Sequence, residues 1–371
     1  MFSYKWHKFD ELYLQNIYYL NFKYKEIKMH NSVKVILLGL MVLILGGCVE
    51  DRQPNTPQFN SGIEKTKEWN DYNKYAKEND QPILDFVATT LKYQPKGKIL
   101  NYNEFQVNDP RVEVMTKWHN CKSTDVFEHK FYMPDGRLYH YEYYKQKKDY
   151  SKFTLGQRIY IENVFPSLIQ GKWSVDIFMN NKKVVRKEFY IGDKNITYSK
   201  ANPNKTIGVF PFLDNQKMST WKHAKSLSQY ISWAILYNNI NTKVVPPRLI
   251  LKNLPNVSIE YDTFESFINE DLKSEDSILL KLANKFKMDY IIIAKIQSAW
   301  AASSQDTKVN SLIIDVSNKT IINKKETSYS LYRSDFNIVT QQDSQGIHPQ
   351  RLKIYKKVYS ELEEEIQTLS K

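Results

Sequence analysis

The chain contains one long apolar stretch, Val35 to Gly47, thirteen residues without a charge that end at Cys48. A helix crossing a bilayer needs about 17–25 such residues, so this run is too short to span comfortably. Its length suits the apolar core of a signal peptide, and Lys28 and Lys34 place positive charge ahead of it. The run closes on Leu45-Gly46-Gly47-Cys48. Small residues there let the backbone extend into a peptidase site, and the thiol is open to alkylation. Beyond Cys48 the chain turns at once polar and turn-forming, Glu50-Asp51-Arg52-Gln53-Pro54-Asn55-Thr56-Pro57, as a tether does. That change argues against an uncleaved anchor helix with an unmodified Cys48, and equally against a buried core helix.

The Leu45–Cys48 segment resembles the lipobox of bacterial lipoproteins. The resemblance implies cleavage between Gly47 and Cys48 and attachment of fatty-acyl chains, palmitate among them, to Cys48. Each buried methylene is worth about 0.8 kcal/mol; one chain holds only reversibly, and two or more anchor stably. The expected location is a cell envelope, lipid-anchored. By resemblance to the sorting rule of enterobacterial lipoproteins, Val49 in place of aspartate after the cysteine implies the outer membrane, facing the periplasm. Met29-His30-Asn31-Ser32-Val33-Lys34 makes an ordinary basic start, so Met29 is the expected true initiator, with an extended leader as the alternative. Residues 1–47 are set aside as leader and signal peptide, and 48–82 as a lipidated tether.

The remainder exceeds one ordinary domain, since single cores stop growing near ~250–300 residues and typical domains are about 100–150. A mean hydropathy of −0.56 excludes a polytopic membrane protein. Two cysteines exclude a disulfide framework and any zinc site built from cysteine pairs. The net charge of +12 invites a nucleic-acid reading, but only eight basic residues are arginine, the side chain that grips phosphate bidentately. The lysines are scattered among acids, so a solvated surface is expected and no nucleic-acid partner. Attraction to anionic lipid or cell wall is the minor alternative.

Residues 83–198 read as an all-β unit. Short aromatic and β-branched runs predict strands at Arg111–Trp118, Val126–Met133, Leu138–Tyr144, Gln157–Glu162, Trp173–Asn180 and Lys183–Tyr190, with turns at Pro134-Asp135-Gly136 and Asn180-Asn181. Trp173, Val175 and Ile177 should share one face. Residues 63–78 are a weak helix candidate. From 204 to 371 strand and helix alternate. The predicted elements are a strand at Thr206–Phe212, a helix over Asp214–Tyr237 and a strand over Thr242–Ile250. A helix capped by Ser274, a strand at Tyr290–Ile296 and a hairpin around Ser317-Asn318-Lys319 come next. A closing helix from Pro349 should carry Leu352, Tyr355, Val358, Leu362 and Ile366 inward. The expected fold class is therefore multidomain: a β-sandwich, then an α/β domain whose mixed sheet carries helices on one face.

The hairpin from Gly171 to Phe189 resembles the closing hairpin of bacterial immunoglobulin-like sandwich modules. Further on, Pro211-Phe212, Met288-Asp289-Tyr290-Ile291-Ile292 and Leu312-Ile313-Ile314-Asp315 resemble the shared pattern of a superfamily of envelope lipoproteins. That superfamily includes the curli-secretion lipoprotein, the penicillin-binding-protein activators and the N-terminal domain of the Tol translocation protein. The resemblance covers about 160 residues and departs at Ala294, where glycine is usual, and at Asn318-Lys319 in the turn. It implies a fold rather than a given activity.

The sequence carries none of the catalytic motifs GxSxG, HExxH, GxGxxG and GxxxxGK[ST]. His119, Cys121 and His129, with His140, read plainly as strand and loop residues, with a metal site or a Cys–His pair as the lesser alternatives. No catalytic residue, metal site or cofactor is expected. Glu361, Glu363, Glu364 and Glu365 read as a solvated helix face. Tyr139, Tyr141, Tyr143 and Tyr144 are either sandwich faces or a stacking platform for sugars. The loop from Tyr332 to Gly346 is a candidate for partner contact. The expected function is a non-enzymatic, lipid-anchored partner in assembly, scaffolding or regulation of a periplasmic or outer-membrane machine in a Gram-negative-type bacterium. A carbohydrate- or peptidoglycan-binding lipoprotein is the alternative.

Overall fold

The computed structural model describes residues 65–91, 101–162, 164–214, 221–254, 264–300, 304–332 and 349–369. Gly47, Cys48 and most of the loop from Tyr332 to Gly346 lie outside them.

The first described helix, α1 (Lys67–Glu78), is held by its cap and by one buried face, Trp69, Tyr72 and Ala76 at i, i+3 and i+7. Thr66 caps it by accepting from the Trp69 N–H at 3.3 Å. Trp69, Tyr72 and Ala76 are buried, and the Trp69 indole donates to the Leu84 carbonyl at 2.9 Å. Strand β1 (Ile83–Thr90), absent from the expected set, begins there.

Two antiparallel-rich sheets form the sandwich. One has the order β1, β3 (Arg111–Cys121), β6 (Tyr150–Tyr160). The other runs β2 (Glu104–Phe105), β8 (Lys182–Ile191), β7 (Gly171–Met179), β4 (Val126–Tyr132), β5 (Leu138–Lys145). Trp173, Val175 and Ile177 are fully buried, as the alternation predicts. The sheets meet through aromatic edges, Trp118 against Phe127 at 5.2 Å between centroids. Asn180 and Asn181 both take positive φ, +48° and +66°, the backbone a tight two-residue hairpin needs. Strand β6 is a correction: it starts at Tyr150, seven residues before the expected Gln157, and ends before Glu162.

The second half centres on a mixed sheet in the order β11 (Thr242–Val245), β9 (Lys205–Val209), β12 (Tyr290–Trp300), β13 (Ser304–Asp315), β14 (Thr320–Tyr332); β10 (Leu213–Asp214) joins β12. Strands β11, β9 and β12 are parallel, and β12, β13 and β14 antiparallel. Helices α2 (Trp221–Asn238) and α6 (Pro349–Leu369) cover one face; α3 (Pro247–Asn253), α4 (Phe264–Lys273) and α5 (Ile278–Phe286) cover the other. The expectation of helices on one face is thus corrected. Strand β12 makes the reason plain: Ile292, Ala294 and Ile296 pack with α2 and α6, while Ile291 and Ile293 pack with α4 and α5. A strand buried on both sides carries an unbroken apolar run rather than alternation.

Two local expectations also shift. The strand read over Thr242–Ile250 stops at Val245, because Pro247 sits at the first position of α3, where its missing N–H costs no hydrogen bond. The cap of α5 is Ser277, not Ser274: its hydroxyl accepts from the Leu280 N–H at 3.0 Å and donates to Asp271 at 2.6 Å. The inward residues of α6 follow the expected spacing, with Tyr355, Val358, Leu362 and Ile366 buried.

Candidate functional site

The histidine and cysteine candidates are scattered by the fold. His119 and Cys121 stand on β3, in the three-stranded sheet; His129 and His140 stand on β4 and β5, in the five-stranded one. The His119 Nε2 lies 2.8 Å from the Asp85 carboxylate. Burial, with Asp125 and Asp85 adding to it, pushes the Cys121 thiol up to about 12, away from the thiolate a ligand or nucleophile requires. His129 is fully buried, and burial lowers it to about 4 against the pull of Glu142. Among the described residues no three His, Cys, Asp or Glu side chains are grouped to hold a metal.

Of the four tyrosines, Tyr139 and Tyr141 are 0% exposed, as sandwich faces require, while Tyr143, under the Arg248 guanidinium at 5.6 Å, and Tyr144, stacked on Phe153 at 5.4 Å, are half-buried. The glutamates of α6 are the expected solvated face: Glu361 pairs with Lys325 at 3.2 Å, and Glu363 accepts from Gln367.

Tyr139, Tyr141 and Tyr143 take part in the seam between the sandwich and the α/β layer. Strand β5 ends its sheet, and an end strand leaves a row of backbone groups unpaired. Side chains of the α/β layer reach that row. The Trp233 indole N–H donates to the Tyr139 carbonyl at 3.1 Å, and Arg248 donates to the Tyr143 carbonyl at 3.5 Å. The Trp233 ring stacks on Tyr139 at 5.1 Å and 5°.

Charge locks the same seam. Glu128, buried on β4, accepts from the Tyr141 hydroxyl at 2.5 Å and pairs with Lys252 of α3 at 2.8 Å. Arg248 of α3 pairs with Glu142 of β5, which also holds the His140 Nε2 at 3.1 Å. Arg137 is buried, tied to Asp135 at 2.8 Å, and donates from one nitrogen to the carbonyls of Asn239 and Thr242 at 2.7 and 3.1 Å. The guanidinium thus holds the Asp135 carboxylate through Nε and two carbonyls of the α/β layer through Nη1 at once. A cleft of about 340 Å³ opens beside this clamp, lined in part by Lys130, Lys200 and Lys243.

The seam is not legible in the sequence because its parts are distant in the chain: Arg137 and Thr242 are 105 residues apart. The available signal was the mixture of tyrosine, histidine and glutamate along β5, which a one-sided sandwich strand does not need.

By architecture the protein is a two-sheet sandwich joined to a helix-covered mixed sheet. No protein-family model matches the chain, and no curated protein matches it. Its solved structural neighbours include a hypothetical protein from Chlamydia trachomatis, 11% identical over 44% of this chain and 99% of that chain, with a TM-score of 0.30. An immunoglobulin-like protein from Pseudomonas aeruginosa is 12% identical over 30% of this chain and 96% of that chain, TM-score 0.23. The LpoB C-terminal domain from Salmonella enterica is 12% identical over 34% of this chain and 84% of that chain, TM-score 0.20. Each likeness covers less than half of this chain. Among the described residues no helix is long and apolar enough to cross a membrane.

Proposed function

We propose that this chain is a lipid-anchored, non-enzymatic protein of a bacterial cell envelope, held at the outer membrane and facing the periplasm. It serves there as an assembly, scaffold or regulatory partner of a periplasmic or outer-membrane machine. The observation that carries the reading is the sequence Leu45-Gly46-Gly47-Cys48 at the end of the only long apolar run. Two or three acyl chains on Cys48 would hold the protein stably, at about 0.8 kcal/mol per methylene. The welded seam supports the partner role, because a body joined by partly buried ion pairs and a stacked tryptophan presents one fixed surface.

The test is mass spectrometry of the mature N-terminus together with cross-linking in intact envelopes. Acyl mass on Cys48 and a defined cross-linked protein are the expected results. A Cys48→Ser chain should be recovered unprocessed. A native chain that keeps its leader and carries no fatty acid would overturn the anchoring. Recovery only as an isolated monomer across several conditions would overturn the partner role.

A further inference from the structure

Lysines from three separate parts of the sequence converge at the mouth of the seam. Lys130 comes from β4, Lys200 from the segment between β8 and β9, and Lys243 from β11; together they border the cleft of about 340 Å³. Lys200 and Lys243 are exposed, and Lys130 is half-buried with its ammonium 4.0 Å from the Phe178 ring centroid. Leu138, Leu249 and Phe286 give the cleft an apolar side. Its volume falls at the lower end of the ~300–1,000 Å³ range of ligand pockets.

The carboxylates nearby are already engaged. Asp135 accepts from the Arg137 side chain at 2.8 Å and from its backbone N–H at 3.0 Å. Asp176, the cross-strand neighbour of Lys130, takes Arg186 at 2.7 and 2.9 Å and Lys183 at 3.3 Å. Among the described residues none of the three lysines has a carboxylate partner. The cleft therefore holds three uncompensated positive charges beside an apolar wall. Arg137 is committed to backbone carbonyls, so what remains are ammonium point charges, suited to single carboxylates rather than to bidentate phosphate recognition. The cleft also borders β11, the end strand of its sheet, and strand edges are where extended peptides dock.

We infer that the cleft docks an extended, carboxylate-rich segment of the partner protein, with an aliphatic side chain set against Leu138, Leu249 and Phe286. This rests on the partner role proposed above and names the chemistry of the contact.

The test uses the full chain in detergent and a fluorescent, end-capped Asp-Leu-Glu-Leu-Glu peptide, read by anisotropy. Binding should weaken at least about tenfold, equivalent to about 1.4 kcal/mol, in the pair Lys200→Glu and Lys243→Glu. It should survive Lys200→Arg with Lys243→Arg, and it should fall as salt is raised from ~0.05 to ~0.5 M, where screening shortens below ~10 Å. A Lys200→Gln, Lys243→Gln pair, with the native circular dichroism as control, guards against a folding artefact and should also bind more weakly. Unchanged binding in the folded Glu pair would overturn the inference. So would equal binding of an Asn-Leu-Gln-Leu-Gln peptide, or displacement of the acidic peptide by an equal concentration of inorganic phosphate. A chain without acyl mass would overturn the anchoring but leave this result standing; an acylated chain that ignores the peptide would overturn only the cleft.

Discussion

Trp233 touches Tyr139 twice, ring on ring at 5.1 Å and indole N–H on backbone carbonyl at 3.1 Å. One side chain thus supplies both apolar burial and the hydrogen bond that an end strand lacks. Trp233→Phe should keep most of the packing and lose the hydrogen bond, costing about 0.5–1.5 kcal/mol. Trp233→Ala should cost about 3–5 kcal/mol. Urea unfolding followed by circular dichroism separates the two.

The Glu128–Lys252 pair should show strong coupling. Removing one partner leaves the other charge poorly compensated, and for buried pairs this costs about 3–5 kcal/mol. Lys252 is partly exposed, so the lower end is expected for Glu128→Ala, whose loss also frees the Tyr141 hydroxyl. A double-mutant cycle with Lys252→Met should return a coupling energy above about 1 kcal/mol, and additive effects would contradict it.

His129 should make the fold acid-sensitive. Its folded value is depressed to about 4 from 6.5, so between those limits the unfolded chain binds the extra proton. Stability contributed by the neutral ring is complete above pH 6.5, declines as pH falls toward 4, and changes no further below that. The loss is on the order of 3 kcal/mol across the window. Urea midpoints at pH 7 and 4.5 should differ less in His129→Phe than in the native chain.

Thiol titration distinguishes the two cysteines. Cys121 is buried with its thiol pushed up to about 12, so a folded, acylated chain should show no reactive thiol. In denaturant one thiol per chain should appear. Two would mean that Cys48 is unmodified.

Much of the strand pattern was legible because local chemistry and tertiary context agree. Asn180-Asn181 turns where two left-handed residues are needed, and Trp173, Val175 and Ile177 face one way. The misreadings mark places where context wins. Pro247 looked like a strand weakness and is a helix start; Tyr150 opens β6 although 45% exposed, because the strand is paired rather than buried. Alternation in β5 favours sandwich faces over a sugar platform for its tyrosines, but nothing local says what will cover an end strand. The cover comes from Trp233 and Arg248, about a hundred residues away. The convergence of Lys130, Lys200 and Lys243 was invisible for the same reason.

Strand β12 puts Ile291, Ile292 and Ile293 in a row, each committed to the opposite side from its neighbour. Adding or deleting one residue within it would send every following side chain into the wrong compartment, because the strand repeats every two residues. Length changes in this protein are therefore tolerable in its connections but not between Tyr290 and Ile296, where one reading frame serves two interiors at once.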